Sequence, residues 1–104
     1  MSGTFSIDSK KEVQLKLNGS VVTENSLFSQ TNKTYKVELR GPLPLAQIAS
    51  ITDVKSDLTF LIDTDVREGK YQVLLMSVDS QKILFTKEID VNENHDRFDL
   101  VLKN

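Results

Sequence analysis

The chain has 104 residues, of which 38% are apolar and 27% are charged, a composition typical of one folded domain rather than a disordered segment. Its net charge of −2, with Lys and Arg scattered among acidic residues, argues against a nucleic-acid surface, which needs concentrated positive charge. Because cysteine is absent, thiol catalysis, zinc–thiolate sites and disulfides are excluded.

The first half of the chain predicts short β-strands. Apolar and polar residues alternate in EVQLKL (12–17) and in TYKVELR (34–40), so each strand has one buried face and one wet face. AQIASITDV (46–54) is less regular but rich in residues that favour strands. Asn18-Gly19 and Gly41-Pro42 predict turns between these strands.

The second half continues the same pattern. LTFLI (58–62) and FDLVL (98–102) alternate, and the acidic stretch 63–69 between strands predicts a turn. KILFTKEIDV (82–91) begins with apolar residues on both faces, which predicts a strand with a bulge near Thr86. Further turns are predicted at 78–80 and 92–94.

The segment YQVLLMSV (71–78) is apolar on both faces. This pattern predicts a central strand of the core rather than a cofactor slot. The longest wholly apolar run, Val73–Met76, is far shorter than the roughly 20 residues of a membrane helix. Seven or eight short strands with no long helical period predict an all-β antiparallel sandwich, formed by a single domain over residues 1–104.

The residues that could carry chemistry do not converge on a recognisable site. His95, the only histidine, stands in ENHD (93–96), where the spacing of the carboxylates does not suit a closed metal shell, so an exposed loop is expected. No motif marks a nucleophile that this histidine could activate. We therefore predict neither catalytic activity nor a cofactor.

The middle of the chain is acidic. Its carboxylates do not follow the register of a calcium-binding loop, and Lys55 and Arg67 dilute their charge, so a solvated surface is expected. The acidic residues are Asp53, Asp57, Asp63, Asp65 and Glu68.

Two N-glycosylation sequons occur, at Asn18 and at Asn32. The frequencies of Asn, Ser and Thr predict about one such match by chance, so the pair adds little to the case for a lumenal protein. No signal-peptide pattern is visible at the start of the chain. We expect either a cytosolic protein or one module of a longer chain.

TDVREGKYQV (64–73) resembles the approach to the later strands of an immunoglobulin-type sandwich, where an acidic residue, a small residue and a Tyr build a tyrosine corner. The resemblance implies that Gly69 and Tyr71 form this corner and that Val73 occupies the place of the core Cys. YKVELRGPLPLAQI (35–48) is similar to the strand, Gly-Pro break and strand of such repeats.

As a whole, the chain resembles the immunoglobulin-like lumenal repeats of fungal pore-membrane nucleoporins. This resemblance implies a non-enzymatic module of a nuclear pore membrane glycoprotein, which stacks end to end and associates with its own copies in a ring in the perinuclear lumen. Its expected partners are neighbouring repeats, other copies and other nuclear pore components, with membrane contact only through other parts of the parent chain. The alternative is an extracellular adhesion or carbohydrate-binding module.

Overall fold

The computed structural model describes residues 12–22 and 34–103, which form seven strands and no helix. They are arranged in two sheets with the orders β4-β1-β7 and β3-β2-β5-β6. The predicted all-β sandwich is confirmed, with seven strands in the described residues. The strands are β1 (Glu12–Val22), β2 (Tyr35–Arg40), β3 (Ile48–Asp53), β4 (Thr59–Arg67), β5 (Gly69–Ser77), β6 (Ile83–Val91) and β7 (Arg97–Lys103).

One hydrophobic core lies between the sheets, because every second side chain of each central strand points inward. The three-stranded sheet contributes residues from β1, β4 and β7, and the four-stranded sheet contributes residues from β2, β5 and β6. The fully buried members with the largest side chains include Tyr71, Phe60, Leu15, Leu17 and Leu39. Within the described residues, no helix has the length and apolar character needed to cross a membrane.

The strand order departs from the immunoglobulin constant-type arrangement at the end of the described chain. In that arrangement the last strand pairs with its predecessor in the same sheet. Here β7 leaves β6 and crosses to the other sheet, where it pairs with β1 in parallel, from Lys16 beside Arg97 to Val22 beside Lys103. All other strand pairs are antiparallel.

The predicted turn at Asn18-Gly19 is wrong, because both residues lie within β1. Gly19 faces the interior, where a Cβ would lie only 2.4 Å from Cζ of Phe60 on β4. The glycine therefore makes room for an aromatic ring and does not reverse the chain. Asn18 lies on the opposite, exposed face of the same strand.

The turn predicted over residues 63–69 is also too long, because β4 continues to Arg67. Val66 keeps the inward alternation after the acidic residues begin. Asp63 and Asp65 point outward, opposite Lys16 and Gln14 of β1, and Gln14 Nε2 donates a 3.0 Å hydrogen bond to Asp63 Oδ1. Outward carboxylates are compatible with a strand when their face is wet.

The apolar segment at 71–78 belongs to β5 except for its last residue, Val78, and β5 lies between β2 and β6 as a central strand. Its outer side also carries a buried residue, Leu74, which is 3% exposed. The predicted bulge in β6 lies slightly earlier than expected, since Leu75 pairs with Phe85 and Met76 pairs with Ile83. The unpaired residue is therefore Leu84 rather than Thr86.

Candidate functional site

The predicted tyrosine corner lies where β4 turns into β5. The side chain of Tyr71 is buried, and its hydroxyl donates a 2.6 Å hydrogen bond to the carbonyl oxygen of Arg67, four residues earlier. Burial raises the pKa of the Tyr71 phenol, so the hydroxyl remains a neutral donor at physiological pH. A bond from the Tyr hydroxyl back to an upstream backbone group is the geometry of a tyrosine corner.

Two glycines allow the β2–β3 connection to pack against this corner. Gly41 has φ +148°, and a Cβ on it would lie 2.6 Å from Cδ2 of Tyr71. Gly69 has φ +153°, and a Cβ on it would lie 2.9 Å from Cβ of Pro42. Both positions combine a positive φ with a close approach, which only glycine tolerates well. The corner therefore joins the end of the sandwich to the loop that precedes β3.

Val73 lies two residues further along β5, opposite Leu39 of β2. Its side chain has no exposed surface and belongs to the core cluster. The residue that the resemblance puts in the place of the core Cys is therefore an interior packing residue, with an apolar partner on the neighbouring strand.

Asn18, the first sequon residue, is exposed on the outer face of the three-stranded sheet, and its Nδ2 donates a 3.2 Å hydrogen bond to Asp99 Oδ1. The second sequon residue, Asn32, lies outside the described residues. Asn18 lines a surface hollow of about 370 Å³. Its lining residues are Lys16, Asn18, Leu61, Arg97, Phe98 and Asp99.

This hollow offers amide, carboxylate and cationic groups to a ligand. No aromatic side chain of the described residues is exposed, because Tyr35, Phe60 and Tyr71 are buried and Phe85 and Phe98 are half-buried against the core. The described surface therefore has hydrogen-bonding groups but no exposed ring on which a sugar could stack.

A second hollow, of about 330 Å³, lies on the outer face of the four-stranded sheet and is lined by Lys36, Glu38, Ile51 and Met76 among others. Glu38 is 3% exposed, and it accepts a hydrogen bond from Nε of Arg40, two residues later on the same face of β2. The buried carboxylate thus has a guanidinium partner, as a buried charge requires.

His95 is exposed in the turn between β6 and β7, as predicted. Its backbone exchanges hydrogen bonds with Asn92, at 3.1 Å and 2.9 Å, which closes the turn. Within residues 12–22 and 34–103, no group of three or more His or acidic side chains could hold a metal ion.

The acidic residues of the middle of the chain are exposed and spread over separate elements, as expected for a solvated surface. Asp57 accepts hydrogen bonds from the hydroxyl (2.6 Å) and the amide (3.1 Å) of Thr59, and these bonds lower its pKa. Glu68 Oε2 accepts a 3.0 Å bond from the amide of Glu93, which connects the two turns at one end of the sandwich.

The parallel pairing of β1 and β7 determines where the described chain enters and leaves the sandwich. β1 starts at Glu12, and its last residue, Val22, lies beside Lys103 at the end of β7. Because β1 and β7 run in the same direction, β1 begins at one end of the sandwich and β7 finishes at the other.

The two sheets have four edge strands within the described residues, namely β3, β4, β6 and β7. Three of them carry at least three charged side chains each, whereas β3 has only Asp53 at its last position. Exposed apolar side chains lie along and just before β3: Leu45 is 71% exposed, Ile48 59% and Ile51 48%.

Sequence reasoning missed this edge, although a signal was present. Residues 41–52 form the longest stretch of the chain without a charged residue. Such a stretch is expected to be buried or covered by a partner, and among the described strands β3 lies at the edge of its sheet.

No protein-family model, no curated protein and no solved structure matches this chain. The resemblance to lumenal nucleoporin repeats accordingly stays a prediction.

Proposed function

We propose that this chain is a non-catalytic structural module, joined end to end with neighbouring modules and associating with further copies of itself. The observation that carries this proposal is the parallel pairing of β1 with β7. A domain with entry and exit at opposite ends adds its full length to a chain of modules, and load passes through it along the strands.

The length that each module adds follows from strand geometry. The ten steps from Glu12 to Val22, at about 3.3 Å each, correspond to roughly 33 Å. At the entry end, the Tyr71 hydroxyl bonds the Arg67 carbonyl within the β4–β5 turn, and the Glu93 amide bonds Glu68 between the β4–β5 and β6–β7 turns. A rigid end of this kind supports contact with a preceding module.

The proposed setting is the lumenal ring of the nuclear pore complex, as the resemblance to pore-membrane nucleoporin repeats implies. The exposed position of Asn18 on the outer face of the three-stranded sheet supports a lumenal location, since an attached glycan would point to solvent. Expression of the parent chain in a glycosylating host tests this setting. We expect an added mass that a glycan-removing amidase eliminates and that is absent when Asn18→Gln and Asn32→Gln are combined. An unmodified chain would argue for another compartment.

End-to-end stacking is tested with two copies of the chain fused in tandem. Small-angle X-ray scattering should show a maximum dimension longer than that of one copy by roughly 33 Å or more, set by the length of β1. A compact pair with the two sandwiches side by side would contradict the proposal. Fusion through a flexible Gly/Ser linker is the control, because it removes the fixed connection while keeping both domains.

A carbohydrate-binding or adhesive function is the second candidate, and the polar hollow over β4-β1-β7 is the observation in its favour. Screening the chain against a glycan array tests it. Specific binding that Asp99→Ala abolishes would support this candidate, because Asp99 is an exposed acceptor at the hollow.

A further inference from the structure

We propose that β3 is the surface through which copies of this chain associate laterally, by antiparallel pairing of β3 with β3 of a second copy. A two-fold axis at Ile51 would join the two four-stranded sheets into one continuous sheet of eight strands. This inference rests on the proposed structural function and names the contact that holds its copies together.

The edges of the two sheets differ in their protection. Exposed edge strands pair with other chains unless charges, prolines, bulges or covering segments prevent it. β3 has one bulge, at Ala49, and its residues 50–53 pair regularly with β2. β4, β6 and β7 place charged side chains along their lengths, and β3 does not. Within the described residues, no strand pairs with the outer side of β3.

The backbone groups of β3 alternate in direction. The Val54 amide donates to the carbonyl of Tyr35 at 3.0 Å, so the residues that alternate with Val54 along β3, Thr52 and Ser50, turn their backbone groups toward β2. Ile51 and Asp53 turn their N–H and C=O groups away from β2. These groups are positioned to bond an added strand.

Two apolar side chains of β3 are exposed to solvent. Ile51 is 48% exposed and Ile48 is 59% exposed. Although they are three residues apart, both lie on the outer face of the sheet, because they pair with Glu38 and Arg40 of β2 and the bulge adds one extra residue between them. Isolated exposed apolar residues are common, but neighbouring ones along a strand whose single charge is at its last position can form an association surface. Pairing across the axis brings the two copies of Ile51 together.

Two copies of β3 are compatible with each other in charge. With the axis at Ile51, the two copies of this residue exchange hydrogen bonds, and Asp53 of one copy lies beside the uncharged bulge at Ala49 of the other. No like charges then face each other across the pair. A register shifted to an axis at Asp53 would oppose two carboxylates, which destabilises a sheet. The position of Asp53 therefore favours one antiparallel register between identical chains, as association with a second copy requires.

A single edge contact is small, so we expect it to be weak alone and to be effective when many modules are aligned. In sedimentation velocity the chain should shift from monomer to dimer between about 20 µM and 1 mM, and Ile51→Lys, which opposes two cations at the axis, should weaken the dimer by at least about tenfold. Leu61→Lys is the matched control, because Leu61 is 49% exposed on the charged edge strand β4 and Ile51 is 48% exposed. The control should dimerise like the parent chain.

The absence of native cysteine makes the register directly testable. Ile51→Cys should be joined to a second copy by a short bis-maleimide at high yield, whereas Leu61→Cys should react with the reagent without forming dimers. Equal yields at both positions would overturn the register.

Amide hydrogen exchange provides the remaining readout. Protection of the Ile51 amide should rise with protein concentration. If the protein is a monomer at 1 mM and the Ile51 amide exchanges freely, the inference is overturned. It is also overturned if the protein is a monomer and this amide is protected, because a segment of the same chain would then cover the edge. Neither result alters the length of the tandem protein, so failure of this contact is distinguishable from failure of the stacking function.

Discussion

Tyr71 combines a buried ring with a single hydrogen bond to the backbone at Arg67. Removing the hydroxyl leaves a partly buried carbonyl without this donor. Tyr71→Phe should therefore lower the free energy of unfolding by about 1–2 kcal/mol, measured by urea denaturation at neutral pH. A change within error would show that the corner bond adds nothing to stability.

Tyr71 should also make the free energy of unfolding depend on pH in the alkaline range. Because burial raises the pKa of Tyr71 in the folded state, its stabilising contribution is fully present below the unfolded value of about 10. The contribution is lost as the pH rises through the folded pKa, since the unfolded chain releases its proton first. The stability difference between the parent chain and Tyr71→Phe should thus shrink above about pH 10, and a constant difference would contradict it.

At Gly19, an added side-chain atom should lower the stability of the fold. A Cβ at this position would lie 2.4 Å from Cζ of Phe60 and 2.7 Å from the carbonyl oxygen of Leu100. Gly19→Ala should destabilise the chain by about 1–3 kcal/mol because the backbone must shift. Ser20→Ala, on the opposite face of β1, is the control and should change stability by less than about 0.5 kcal/mol. Similar losses for both variants would contradict the steric reason.

The individual strands were largely predictable from alternation, because burial of one face imposes a period of two. The failures at Asn18-Gly19 and at 63–69 have one cause. Glycine and carboxylates are typical of turns, yet they also suit a strand where the interior needs space or the outer face is wet. Sequence composition records the residue but not the face to which it points.

β5 offers a direct test of a central strand. Val73 is fully buried between β2 and β6, so Val73→Ala should lower the free energy of unfolding by about 1–3 kcal/mol. Val101→Ala is the matched control, because this residue of β7 is 52% exposed and its truncation leaves no cavity. Chemical denaturation should therefore separate the two variants clearly, and equal effects would argue against a tightly packed interior at β5.

The arrangement of the strands was beyond prediction from periodicity. Alternation determines which side chains are buried, and it is the same for a strand that pairs in parallel or antiparallel. The tyrosine corner was placed by a local motif, whereas the crossing of β7 to β1 depends on long-range packing between distant residues. The position of β3 at an edge of the described four-stranded sheet is also a matter of strand order, which the uncharged stretch at 41–52 hints at but does not determine.

The β1–β7 pairing has a mechanical consequence that the proposed function requires. Force applied at Glu12 and Lys103 pulls β1 and β7 in opposite directions along their axes. All backbone hydrogen bonds of this pairing, from Lys16 beside Arg97 to Val22 beside Lys103, then bear the load at the same time. Force applied at Glu12 and Arg67 instead separates two directly paired residues of antiparallel strands, and the bonds between β1 and β4 break one after another.

Single-molecule pulling through introduced cysteines compares these two directions in the same domain, since the chain has no cysteine of its own. Forced unfolding depends on the barrier and not on equilibrium stability. Attachment at Glu12→Cys and Lys103→Cys should therefore require a several-fold higher unfolding force than attachment at Glu12→Cys and Arg67→Cys. Equal forces would mean that β1 and β7 do not act as a clamp, and a load-bearing module would then need a different explanation.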